Sequence, residues 1–593
     1  MAFFSIRKGY AVLAGISAIV ASVPAQVRYT LTPDPAKGRL NIQMDFKAKA
    51  KTTVLKMPNW APGAYILGEL FKNVSEFKVQ IDGKDVLAQN ETNAWSFPSQ
   101  NGKFVTVGYS VPMPIVDGAA HWSGPSTYLY LDARKEEPCT VQFMLPQGWS
   151  VATGLEESKK SSSLFSAATY DVLADCPVTA GSFIVDTYMS RGKHHIITLR
   201  NAPKSKVNRE NLLKACKFVT DSEADFFGGL PYDKYVWHFS VNDAADGAGG
   251  LEHLNSTQIG LASGVGPRAV SVLAHEFFHL WNVKRIRSKV LGPFDYDQLP
   301  KTGGLWWLEG VTDYYANLLL TRYGWWQPES LYSYFVRELN NVRQNPARLE
   351  ISPYQSSYRV GEANNGRGNS NGYKISYYDL GSLCGMLLDI EIRAQSAGKH
   401  SLDDVERALW EMCKDNQPGF DEDEIRKQCI RFGGSSLGEF FDKVVMTPGE
   451  LPVEGQLGKV GLRLADVEEG YVDNGFTLQA NPQDKGASVR NVHGDAAKLL
   501  KDGDLLIAFN GVSLEENGPM AIGGAIQKAT ASIKAGDTLN LTIRRDGQPV
   551  VLTVTAFVAK RTIKKIEAIP EATPAQLKLR QDWIYAGKKP LPR

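Results

Sequence analysis

Two histidines and a glutamate within five residues, His275-Glu276-Phe277-Phe278-His279, carry the most legible chemistry in this chain. On a helix, positions i and i+4 share a face. The two imidazoles can therefore hold one Zn²⁺, while Glu276 beside the first of them reaches a water at an open coordination position. A second stretch, Leu305-Trp306-Trp307-Leu308-Glu309-Gly310-Val311-Thr312-Asp313, offers Glu309 as the third ligand. Three protein ligands leave the open fourth position that a catalytic zinc needs, so one Zn²⁺ per chain is the expected cofactor. Asp313, one turn after Glu309, is spaced to accept the second N–H of a ligating histidine and hold that ring's tautomer. The alternative for both acids is a solvated helix face, which their neighbours Trp306, Trp307 and Leu308 disfavour because acids are rarely buried unpaired.

Each of these groups needs an element to hold it. Pro267 suits a first helical turn, and Val270, Leu273, Ala274 and Phe277 recur at helical spacing, so His275 and His279 belong to one amphipathic helix. The second helix begins near Gly304, with Gly324 as its stop. Upstream, Gly247-Ala-Gly249-Gly250-Leu-Glu252-His253 follows β-like Tyr235 to Val241. Glycines let backbone approach a ligand closely, and Glu252 just after them can pair with a substrate ammonium; a plain glycine turn is the competing reading. His253 reads as structural, because three ligand positions are already filled. Downstream, a polar Asn- and Gly-rich segment, Ser352 to Tyr373, reads as a surface loop leading into an apolar helix that opens with Tyr377-Tyr378. A tyrosine hydroxyl suits donation to an oxyanion.

H-E-F-F-H-L-W-N-V-K-R followed by W-L-E-G-V-T-D-Y-Y resembles the M61 family of gluzincin metallopeptidases, the glycyl aminopeptidase family. The intervening R-I-R-S-K-V-L-G-P-F-D-Y-D is similar to that family too. So are Met57-Pro-Asn-Trp-Ala-Pro-Gly-Ala-Tyr65 and Tyr170-Asp-Val-Leu-Ala-Asp-Cys-Pro177, which resemble signatures of its N-terminal domain. The resemblance implies a thermolysin-like, mostly helical catalytic domain and removal of N-terminal residues, Gly or Ala, from peptides. It assigns Glu252, with Gly249 and Gly250, to the substrate's free α-amino group. By the Y-x-K-G pattern of related aminopeptidases, it makes Tyr378 the oxyanion donor, with Tyr377 as its alternative. Leu380 stands where that pattern has Lys, while Gly381 is kept.

The expected fold class is multidomain α+β, since 593 residues exceed one usual core. Arg7-Lys8, an apolar run from Tyr10 to Ala21 and Val23-Pro-Ala25 read as a secretory signal peptide over 1–25, with an uncleaved anchor as the other reading. The mature chain is expected in the periplasm or outside the cell, with no further membrane span. An antiparallel β-sandwich is expected over 26–190, from alternation in Val27 to Thr32, Leu40 to Phe46, Phe77 to Ile81 and Phe104 to Tyr109, with turns at Asp82-Gly83 and Asn101-Gly102. His121, His194 and His195 have no ligand spacing and read as surface or strand histidines.

The catalytic domain is expected over 191–446, a Pro- and Gly-containing linker over 447–456, a PDZ-like domain over 457–560 and a basic tail over 561–593. The PDZ reading rests on Gly486 to Gly511, a helix near Ala521 to Ser532 and two following strands; Asn474, Gly475, Phe476 and Thr477 form the candidate carboxylate loop for a protein C-terminus. With 66 basic and 64 acidic residues, bulk charge gives no argument for nucleic acid. Six scattered cysteines exclude a disulfide scaffold, although Cys413 and Cys429 could pair in an oxidising compartment. The leading function is a zinc aminopeptidase with Glu276 as general base. The alternatives are a zinc endopeptidase guided by its PDZ domain, and a PDZ-based binding protein with a vestigial zinc site.

Overall fold

The computed structural model describes residues 26–591 apart from 160, 202–206, 242–247, 262–264, 362–374, 415–418 and 517. The expected leader over 1–25 lies outside the described residues, as does the expected polar loop from 362 onward.

The N-terminal strands obey the alternation that predicts them. Val27–Asp34 and Arg39–Lys47 bury every second residue and pair antiparallel at the centre of an eight-stranded sheet. One apolar core takes side chains from this sheet and from two four-stranded sheets around it. The sheet is mixed, which corrects the antiparallel expectation: Val27 to Leu31 run parallel to Cys139 to Phe143. Alternation reports which face of a strand is buried and says nothing about its neighbour's direction.

The catalytic region opens with a five-stranded sheet whose order is Ile184–Ser190, Lys193–Arg200, Lys234–Val241, Ser256–Leu261 and Ala248–Glu252. The boundary expected at 190/191 thus falls at the turn of a hairpin, and the sheet starts at Ile184. The last strand lies at the edge, next to the helix Pro267–Phe278. The expected 352–373 loop is in part helical, because Ser352 and Gln355 form a capping box that starts the helix Pro353–Tyr358.

The C-terminal third departs most from expectation. The proposed linker contains the start of a helix, Val453–Lys459, which buries Val453 and Leu457 in the catalytic core. From it rises a two-stranded antiparallel ribbon, Leu462–Asp473 with Phe557–Ala568. At the far end of the ribbon sits a second antiparallel sheet domain with its own core and the helix Pro519–Thr530. The chain then returns, and the expected tail closes the catalytic core. Trp583, in the helix Pro574–Tyr585, is fully buried and donates from Nε1 to the Tyr314 hydroxyl at 2.9 Å, while Arg322 donates to the Trp583 and Ile584 carbonyls. The second sheet domain is therefore an insertion on a stalk. All six cysteines are buried free thiols, Cys413 and Cys429 included, so the pairing considered for them is absent. Among the described residues, no helix is long and apolar enough to cross a membrane.

Candidate active site

The helix Pro267–Phe278 presents His275 and Glu276 on its last turn, and His279 caps it. Glu309 arrives from a π-helical turn, Trp306–Val311, that leads into the helix Thr312–Arg322. Such a turn inserts one residue into helical spacing and so re-aims a side chain, which is why π turns gather at functional sites. The Nε2 atoms of His275 and His279 stand 2.9 Å apart, and Glu309 Oε2 lies 3.5 and 3.2 Å from them. All three side chains are buried.

Both rings are held from behind. His275 Nδ1 lies 2.7 Å from Asp313 Oδ1, where the sequence spacing puts that carboxylate. His279 Nδ1 is 2.7 Å from the Asn282 carbonyl oxygen, which can only accept, so the proton sits on Nδ1 and the Nε2 lone pair faces the triad. The Asn282 amide in turn donates to the Trp307 carbonyl and the Thr312 hydroxyl, both at 3.2 Å, joining the histidine helix to the glutamate turn.

The donor set fits a tetrahedral zinc, whose ligand atoms at ordinary Zn–N and Zn–O bond lengths lie about 3.3 Å apart. The 2.9 Å between the two Nε2 atoms turns both imidazoles toward one shared point, as two ligands of one ion require. The buried Glu309 Oε1 has no hydrogen-bond partner. Burial alone would lower His275, but Asp313 and Glu309 lift it above its ordinary range; Glu309, despite burial, is drawn below the usual carboxylate range by the two histidines. Burial raises Glu276 to about 7 against the pull of His275 and His279.

A second group of donors, Glu252, Glu276 and His279, also lies within 4.8 Å of one another. His279 has one lone pair to give, so the two carboxylates face the metal site without completing a second one. Glu252 is 3% exposed at the end of the edge strand. Its Oε1 is 3.7 Å from Lys284 Nζ, and Lys284 also pairs with Asp175 at 2.9 Å. The glycines before it differ in use. A Cβ on Gly250 would fall 2.5 Å from the Glu276 Cγ, whereas one on Gly249 would meet nothing within 4 Å.

The sequence model of the M61 glycyl aminopeptidase matches residues 268–384, and that of the M61 N-terminal domain matches residues 28–182. The chain belongs to peptidase family M61. It is a zinc metallopeptidase of that family, with the His275, His279 and Glu309 group as its candidate metal site. Among solved structures, an aminopeptidase N family protein from Idiomarina loihiensis shares this fold at 22% identity and a TM-score of 0.73, covering 94% of this chain and 100% of that one. An M1 zinc metallopeptidase from Deinococcus radiodurans aligns at 13% identity and TM-score 0.46, over 72% of this chain and 95% of its own. The yeast LTA4 hydrolase aligns at 13% identity and TM-score 0.43, over 73% and 70%. A search of curated proteins finds no match.

The two tyrosines of this M61 peptidase part ways in the fold. Tyr377 is buried, whereas Tyr378 is half-buried with its ring centroid 6.0 Å from that of His275. Leu380, in the position of the missing Lys, is buried in the apolar core. His121, His194 and His195 are strand residues as expected: His194 is exposed, half-buried His121 bridges Thr179 and Gln258, and buried His195 stacks on Tyr188 at 4.4 Å. His253 pairs with Asp175 as a structural residue.

Sequence reasoning missed Asn282 and Lys284, although both lie in the W-N-V-K-R run after His279. It also missed Gly63 and Tyr65, which the N-terminal domain lays against Glu252. A Cβ on Gly63 would lie 2.6 Å from both Glu252 oxygens.

Proposed function

We propose that this M61 peptidase binds one Zn²⁺ at His275, His279 and Glu309 and removes single N-terminal residues, Gly or Ala, from peptides. The observation that carries this reading is the closeness of Glu252 to the metal site, within 4.8 Å of His279 and Glu276. A carboxylate there holds the substrate's ammonium one residue from the bond to be cut. The charges support it: Glu252 and Asp175 share the one Lys284, at 3.7 and 2.9 Å, so an incoming ammonium supplies the second positive charge for two carboxylates.

When bound, the zinc ion supplies the Lewis acid that acidifies the attacking water and polarises the scissile carbonyl. Glu276, its pKa raised to about 7, takes the water's proton and later gives it to the leaving amine. Tyr378 donates its hydroxyl to the developing oxyanion. Asp313 holds His275 in the ligating tautomer. The strand Ala248–Glu252, at the edge of its sheet among the described residues, offers its outer side to the peptide backbone, and Gly249 leaves room for that approach.

The stalked insertion is proposed as a PDZ-like module. Its helix Pro519–Thr530 packs beside the edge strand Thr477–Asn481, the arrangement that receives an extended C-terminus. Of the loop expected to hold a carboxylate, Phe476 faces the module's core and the Gly475 N–H donates to Asp473 Oδ1 at 2.7 Å. The charged start and apolar run of the leader support export to the periplasm or medium.

The test compares a Gly-initiated peptide with its N-acetylated form, for the wild type and for Glu252→Ala. Acetylation should abolish most turnover in the wild type, and Glu252→Ala should narrow the gap by losing the free-amine substrate. Internal cleavage of acetylated peptides at comparable rates would instead make the enzyme an endopeptidase.

A further inference from the structure

The amine site is not built by the catalytic domain alone. The N-terminal domain sends in a loop from Asn59 to Gly68, tied at its base by the Gly68 N–H donating to the Asn59 carbonyl at 2.6 Å. This loop is fastened to the catalytic segment 294–296. The Asn59 N–H donates to the Tyr296 carbonyl at 2.9 Å, and Trp60 Nε1 donates to the Asp295 carbonyl at 2.8 Å. Trp60 stacks on Tyr65 at 6.1 Å and meets Phe294 edge-on at 5.9 Å. Gly63, at φ +96°, lays bare backbone on the Glu252 carboxylate. A side chain there would meet Glu252, and a left-handed φ is disfavoured for one in any case.

What remains beside Glu252 is a cavity of about 10 Å³, walled by Trp60, Pro62 and Tyr65 from the N-terminal domain and by Val283, Leu291, Phe294 and the Lys284 that pairs with Glu252 from the catalytic domain. A space of that size admits one water-sized group. Tyr65 is itself buried and lines this cavity together with Glu252. Walls of fixed aromatic rings do not yield cheaply, because forcing extra methylenes into close packing displaces rings and backbone.

We infer that the Trp60–Tyr65 loop of the N-terminal domain is the specificity wall of this peptidase, sizing the pocket beside Glu252 for a first residue with a hydrogen or a methyl as side chain. This rests on the aminopeptidase reading of Glu252. Tyr65 is its decisive member, since the loop backbone at Gly63 is already against the anchor. The wall belongs to a different domain from the zinc ligands, so the choice of first residue is separable from the chemistry.

The experiment measures kcat/KM for Gly-, Ala-, Leu- and Phe-p-nitroanilide, and for N-acetyl-Gly-p-nitroanilide, with zinc-loaded full-length protein. The wild type should prefer Gly and Ala over Leu by about 100-fold or more, the discrimination a few methylenes provide. Tyr65→Asn removes the ring but keeps a residue type that tolerates its φ of +50°. It should narrow the Gly-to-Leu ratio about 10-fold or more at unchanged zinc content. Tyr65→Phe keeps the ring and should keep wild-type selectivity, which a merely structural role for the hydroxyl would not. Leu291→Ala opens the same cavity from the catalytic side and should narrow the ratio likewise, so the inference stays decidable if Tyr65→Asn does not fold. An unchanged Gly-to-Leu ratio in folded, zinc-loaded variants, with the free-amine requirement intact, overturns the wall alone. Cleavage of the acetylated substrate at the wild-type Gly rate overturns the amine site and the wall with it.

Discussion

Gly310 and Gly381 face each other where the glutamate turn crosses the helix Tyr377–Gln395, backbone against backbone. A Cβ on Gly310 would lie 2.5 Å from the Gly381 Cα, and one on Gly381 would lie 2.9 Å from the Gly310 Cα. Their neighbours in sequence are Glu309 and, one helical turn earlier, Tyr378. The crossing therefore sets how far the candidate metal ligand lies from the candidate oxyanion donor.

Gly310→Ala or Gly381→Ala should force the two elements apart, since backbone cannot rotate out of the way as a side chain can. Overpacking of this kind costs roughly 1–3 kcal/mol. The melting temperature should fall, and zinc should be released at lower chelator concentration because Glu309 moves with Gly310. A Gly310→Ala protein with wild-type Tm and zinc content would show that the crossing has slack.

Glu276→Gln should keep zinc and lose turnover by roughly 10²- to 10⁴-fold, the usual contribution of a proton-transfer group. Glu309→Ala and His279→Ala should lower zinc occupancy as well as activity, since each deletes a ligand. Metal analysis beside a peptide-hydrolysis assay reads both. Stoichiometric zinc loss in Glu276→Gln would contradict its role as a proton carrier.

Asn282 acts twice, orienting His279 through its backbone carbonyl and holding the Trp307 carbonyl and the Thr312 hydroxyl through its side-chain amide. Asn282→Ala leaves the carbonyl but unties the amide, and outer contacts of this kind typically control metal affinity by about 10- to 100-fold. Chelator titration of the purified variant checks this. An affinity equal to the wild type's would reduce Asn282 to packing.

Burial raises the Glu406 carboxyl from its ordinary 4.5 to about 8. Folded protein then keeps a proton that the unfolded chain has lost. The contribution is fully present below about pH 4.5 and disappears as the pH rises toward about 8, at about 1.4 kcal/mol per pH unit. Glu406→Gln, which carries no titrating proton, should gain on the wild type in Tm between about pH 5 and pH 8. A difference that stays flat across that range would mean the carboxyl is ionised in the folded state.

Asp473 and Phe557 are paired at the outer end of the ribbon, so the insertion between them can be cut out. Replacing 474–556 with an Asn-Gly hairpin turn should leave zinc binding and melting of the catalytic body intact. Deleting everything from Leu457 onward should not, because it also removes Trp583 and Ile584 from the core. Equal stability of the two truncations, by thermal melting with zinc analysis, would refute the stalked-insertion topology.

The chemistry was legible because it depends on short spacings. His275 and His279 lie four residues apart, so helical periodicity alone puts them on a common face, with Glu276 beside the first and Glu309 and Asp313 about one turn apart. The β content of 26–190 showed in period-two alternation for the same local reason.

Contacts between residues distant in sequence could not be read in this way. Nothing near Trp583 announces that it fills the core beneath Tyr314, and nothing in the alternation of Val27 to Leu31 says that the strand beside it runs parallel. The linker expected at 447–456 rested on Pro and Gly as breakers, but the tertiary core claimed Val453 and Leu457. The candidate metal site and its acids were determined by the sequence. What surrounds Glu252 was decided by tertiary structure, because Gly63 and Tyr65 come from another domain and only the packing of two domains brings them to the anchor.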